Sequence, residues 1–126
     1  MAKFVKLVEE HVTCYSAYAE SNWVKKGFVY EVEKEKMKVL QEVYKLKGIE
    51  GYFHAFNFKE IPVFEAKAGK EPFVCDCLQG FLRRNKETES WKLCNTSSVI
   101  QNVRKMNSKN LYEVITQNTV YILEVI

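Results

Sequence analysis

Arg83, Arg84, Lys86 and Trp91 lie within one short stretch, FLRRNKETESW, and their types suit ligand chemistry. A guanidinium can hold a phosphate through paired hydrogen bonds, and an indole face can stack on a base or a cation. The plainer reading of the same residues is a solvated charged loop with Trp91 packed into the core. Trp23 follows Tyr15 and Tyr18 in the polar loop CYSAYAESNW. Aromatics of that kind are enriched in interface cores, or they simply cap the fold. Tyr52 and His54 share one face of YFHAF with Phe56, since alternate residues of a strand point the same way. A catalytic histidine needs an acid or nucleophile beside it, and no motif supplies one to His54 or His11. The candidate binding residues are therefore Arg83, Arg84, Lys86, Trp91, Trp23, Tyr52 and His54, and no catalytic residue is assigned.

The chain contains no G-x-S-x-G, H-E-x-x-H, P-loop or G-x-G-x-x-G, the spacings that position nucleophiles, zinc or phosphates. The expectation is a non-enzyme with no cofactor. Cys14, Cys75, Cys77 and Cys94 raise the question of zinc, but structural zinc prefers C-x2-4-C pairs. Here the only close pair is CDC, so buried free thiols are preferred and no metal is expected. Nineteen Lys and Arg against 16 Asp and Glu leave a net charge of +3. Lysines scattered among glutamates do not make a basic stripe, so nucleic acid is disfavoured. No signal-like or membrane-length apolar run is present. The expected setting is the cytoplasm, without membrane contact.

The elements that must position these residues read mainly as strands. A length of 126 residues and a hydrophobic fraction of 47% suit one packed domain. KFVKLV alternates Phe4 and Lys6 with Val5 and Leu7, and KKGFVYEVE alternates after Gly27. EKEKMKVLQEVYKLKG fits two periods, and its composition favours a short helix near 33–43 turning into strand at Tyr44. A hairpin is expected at GIEG, 48–51, and an extended run at VFEAKAGKE. CDCLQGFLRRNKETESW reads as a loop or short helix, and TSSVIQNVRKM as a strand. The ending splits as NLYEVI, a turn TQNT, and VYILEVI. Asn118 suits that turn through its tolerance of positive φ. The last strand is apolar on both faces, which predicts a central strand or an edge covered by a partner. The second case is compatible with a homodimer.

Two stretches carry a resemblance. KKGFVYEVE with YKLKGIEGYFHAFNFKEI resembles small SH3-like barrel proteins of Firmicute phages, through Gly27, Tyr30, Val32, Tyr44, Leu46, Gly51 and Phe58. WKLCNTSSV with VITQNTVYILEV is similar to the ending of short β-rich accessory proteins of phages and mobile elements of low-GC Gram-positive bacteria. Thr96, Ser97, Val99, Thr116, Asn118, Thr119, Tyr121 and Leu123 match, although KLCN separates Trp91 from Thr96 here. The expected fold is β-dominated α+β in a single domain. Residues 1–64 form the SH3-like barrel part and 65–126 a C-terminal β part whose hairpin completes one shared core. The resemblance implies a non-enzymatic accessory protein that binds and inhibits a host protein, in the anti-defence role such proteins take in the bacterial cytoplasm. The alternatives are a sponge for a nucleotide immune signal, marked by Arg83 and Arg84 facing an aromatic pocket, and a small-barrel nucleic-acid binder.

Overall fold

The computed structural model describes residues 2–8, 24–38, 40–84 and 89–126. Trp23 and Lys86 lie outside them, as do His11, Cys14, Tyr15 and Tyr18. The described chain is β-dominated, with eleven strands, one 3-10 turn and two sheets. It divides into two compact units, Met1–Ile61 and Pro62–Ile126, so the boundary falls just before the expected one. Each unit gathers its own hydrophobic cluster.

The first unit contains β1 (Lys3–Leu7), β2 (Val29–Lys38), β3 (Gln41–Leu46), β4 (Phe53–His54) and β5 (Phe58–Ile61). They lie in the order β4-β3-β2-β1-β5, with the 3-10 turn Ala55–Asn57 leading into β5. Val5 and Leu7 from β1 meet Tyr44, Leu46 and Phe53, as the alternation of KFVKLV requires. Lys3 donates to Glu35 at 2.6 Å, and this bond holds its ammonium well above the ordinary lysine value. Burial raises the Tyr30 hydroxyl, although its oxygen accepts the Lys25 N–H at 2.8 Å, which favours the ionised form.

The short helix expected near 33–43 does not form. Residues 33–38 lie in β2 and 41–43 in β3, antiparallel from Lys38↔Gln41 to Val32↔Leu46 with a bulge between Val32 and Lys34, while residue 39 lies outside the described residues. Helix propensity is a weak prior that tertiary context overrides. Val43, Tyr44 and Leu46 gain burial only as a strand, and the charges pair across strands. Lys45 reaches Glu33 at 3.0 Å and Lys47 reaches Glu31 at 3.3 Å. Just before β3, Leu40 takes φ 64° and is 95% exposed.

The second unit contains β6 (Val63–Ala68), β7 (Gln79–Arg84), β8 (Trp91–Thr96), β9 (Ile100–Lys105), β10 (Leu111–Thr116) and β11 (Val120–Val125). Their order is β8-β7-β6-β11-β10-β9. The last strand is therefore central: β11 runs parallel to β6 and antiparallel to β10. The Ile126 N–H still donates to the Ala68 carbonyl at 2.9 Å. This explains why VYILEVI is apolar on both faces, and it leaves β11 no free edge for a second copy to pair with. Within the loop or short helix expected between Cys75 and Trp91, Gln79–Arg84 instead form β7, paired in register with β8. In the final hairpin, Thr116 and Thr119 close the turn through an N–H to carbonyl bond of 2.9 Å and a hydroxyl to carbonyl bond of 2.7 Å. The left-handed asparagine is not Asn118 but Asn110, φ 72°, in the turn before β10. Asn118 instead donates its side-chain amide to the Ser98 hydroxyl at 3.0 Å.

Chain connectivity forces this sheet to curl. Six strands lying flat at ~4.8 Å spacing would place the outermost two roughly 24 Å apart. Yet β8 and β9, at opposite ends of the order, are joined only by residues 97–99. Four residue steps reach at most about 14 Å. The end of β8 and the start of β9 must therefore approach each other. The loop before β7 fills the gap: Cys75 N–H donates to the Ile100 carbonyl at 2.9 Å, and Ile100 N–H to the Asp76 carbonyl at 2.8 Å. Inside the curl Phe81 meets Tyr121 edge-on at 5.2 Å, with Ala66, Ala68, Val114 and Leu123 around them. Among the described residues no helix is long and apolar enough to cross a membrane.

Candidate functional site

Strand register builds the site. Glu65, Arg84 and Trp91 form one rung across β6, β7 and β8. Strand alternation then puts Glu65, Lys67, Leu82, Arg84, Trp91 and Leu93 on one face. Phe64, Ala66, Phe81 and Cys94 take the face of the hydrophobic cluster.

On the first face Trp91 receives two cations. The Lys67 ammonium lies 4.6 Å from its ring centroid and the Arg84 guanidinium carbon 5.2 Å from it. Arg84 is also ion-paired and hydrogen-bonded to Glu65. Both members of that pair are partly exposed, so it orients Arg84 more than it stabilises the fold. Lys67 and Lys92 have no carboxylate partner among the described residues. Leu93, two residues along from Trp91, is 66% exposed.

The structure separates what the sequence groups. Arg83 and Arg84 are neighbours on a strand, so they point to opposite faces. Arg83 stacks on Phe64 at 4.5 Å, on the cluster face. Each arginine meets an aromatic ring, but the two do not converge on one phosphate. The aromatic pocket flanked by both is therefore not formed. Trp91 is half-buried on the Arg84 face, which combines the two readings of that residue. Tyr52 and His54 belong to the first unit. There Lys36 lies 5.6 Å over the Tyr52 ring, and His54 packs against Phe56 at 5.1 Å.

The cysteines depart from the buried-thiol expectation. Cys75 is exposed, at φ 72°, while Cys77 and Cys94 are half-buried free thiols. Among the described residues no three His, Cys, Asp or Glu side chains come together as metal ligands do. A groove of about 720 Å³ opens beneath the β6–β7 connection, with Lys70, Phe73, Asp76, Cys77 and Leu78 among its lining.

Sequence reasoning missed Glu65, Lys67 and Leu93. The signal was present in the alternation of VFEAKA and WKLCNT, but their meeting depends on β7 pairing with both segments. Compared with protein-family models, curated proteins and solved structures, the chain finds no match.

Proposed function

We propose that this chain is a non-enzymatic protein-binding module that docks through the Trp91 face of its second unit. The observation that carries this reading is Trp91 bracketed by Lys67 and Arg84 beside exposed Leu93. Tryptophan and arginine dominate the energetics of protein interfaces when a rigid frame presents them. Here hydrogen-bonded strands and the Glu65 carboxylate fix both in place, so little side-chain freedom is lost on docking.

With the resemblance to accessory proteins of phages and mobile elements, the bound partner is a host protein, and its inhibition serves evasion of antiviral defence in the bacterial cytoplasm. The same resemblance makes the first unit an SH3-like small barrel. In support, β5 returns after a 3-10 turn to pair with β1, the path by which a short meander begins to bend back on itself. The nucleotide-sponge reading loses its main support because Arg83 and Arg84 diverge. The nucleic-acid reading is weakened by the Glu65 carboxylate on Arg84, and it requires steeply salt-dependent binding.

The test is co-purification of the tagged chain from a host lysate, followed by titration of the recovered partner against variants. Trp91→Ala should weaken the complex by roughly thirtyfold, as loss of an interface hot spot does. A complex indifferent to both Trp91→Ala and Leu93→Ala overturns the reading. So does a thermal shift confined to cyclic or ADP-ribose-type nucleotides.

A further inference from the structure

Among the described residues the outer side of β8 is an unpaired strand edge, and its chemistry selects what can fill it. Ser97 N–H donates to the Leu78 carbonyl at 2.9 Å, in the same register that runs from Gln79↔Thr96 to Arg84↔Trp91. Bonded and non-bonded pairs alternate along an antiparallel ladder. Counting back from Ser97, the backbone groups of Asn95, Leu93 and Trp91 face β7. Those of Thr96, Cys94 and Lys92 face away from the sheet. Among the described residues no strand lies beyond them.

Natural edges are blunted by bulges, covering loops or charge. The opposite edge, β9, is covered at its start, where Cys75 and Asp76 bond to Ile100, a bulge interrupts its pairing with β10, and Arg104 and Lys105 add charge further along. On β8 only Lys92 is charged, and Leu93 stands exposed beside Trp91.

We infer that β8 binds an extended acidic segment of another protein by strand addition, with the donors and acceptors of Lys92 and Cys94 completing a new ladder. The inference rests on the protein-binding reading above and specifies its mode. Main-chain bonds supply affinity in such complexes, and alternate side chains supply specificity. An apolar residue of the added strand covers Leu93. Its carboxylates, placed on the opposite face by alternation, meet Lys92, which stands beside Arg83 across the β7–β8 ladder. Lys92 disfavours a second copy of this chain, since edge-to-edge pairing of two β8 strands brings like charges together.

The test uses the isotope-labelled full chain and a short synthetic peptide alternating valine with glutamate. Binding should slow hydrogen exchange at the Lys92 and Cys94 amides. It should weaken by about tenfold when the peptide is N-methylated at alternate positions or carries lysine for glutamate. Lys92→Pro removes one outward donor without touching the β7 ladder, as edge prolines do, and should weaken binding similarly. The inference is overturned if the peptide leaves Lys92 and Cys94 unprotected, or if N-methylation and Lys92→Pro change nothing. Protection that grows with protein concentration alone assigns the edge to a second copy and also overturns it. A natural partner that needs Trp91 but tolerates Lys92→Pro leaves the docking face standing and removes strand addition.

Discussion

The two edges of the second sheet differ most at the start of β9. At β9 the chain closes on itself: Ile100 is fully buried, its N–H and carbonyl are both bonded to the loop before β7, and Arg104 reaches back to Glu113 at 2.9 Å. At β8 the outward backbone groups of Lys92 and Cys94 meet no strand among the described residues, and a leucine and a tryptophan stand at the rim. Burial and hydrogen bonding are concentrated where the structure needs them, on the β9 side. The β8 side carries the exposed residues on which the proposed docking rests. Elements that move or bind are drawn from the low-stability end of a fold.

Substitutions can break or sharpen that contrast. Ile100→Ala strikes the closed edge and should lower stability by ~2–5 kcal/mol, the cost of removing a buried branched side chain. Chemical denaturation measures it, and a loss below that range would mean the β9 end is looser than described. Arg104→Ala leaves the Glu113 carboxylate, in a residue only 4% exposed, without its guanidinium. The expected loss is about 1.5–3 kcal/mol. A second change, Glu113→Leu, should restore part of it, because an apolar residue of similar size removes the stranded charge. Leu93→Lys on the open edge should shift stability by no more than ~0.5 kcal/mol, while strongly reducing binding of the proposed partner. Equal losses at Leu93 and Ile100 would erase the distinction between the edges.

Much of the strand pattern was legible in the sequence. KFVKLV, VFEAKA, VIQNVRK and the two runs of the ending alternate clearly, and each is a strand. Residues 33–43 misled because glutamate, lysine and methionine favour helix locally. Their fate was decided by Tyr44 and Leu46, which needed a strand to reach the cluster with Phe53. The β7–β8 pair was hidden by the polar stretch between Arg84 and Trp91, which looks like a loop because part of it connects two strands. The candidate site was half visible. Arg84 and Trp91 were named, but their partners Glu65 and Lys67 lie about twenty residues upstream in sequence and arrive only through pairing. Once β7 is known to be a strand, the divergence of Arg83 from Arg84 follows from alternation alone.

Amide hydrogen exchange of the isolated chain, resolved residue by residue, separates an open β8 from a covered one. A central β11 and an open β8 predict slow exchange at Tyr121 and Leu123. On β8 they predict a sawtooth in which Leu93 is protected while Lys92 and Cys94 exchange nearly as fast as free peptide. Uniform protection along β8 in the dilute chain, or rapid exchange throughout the final strand, would contradict the account.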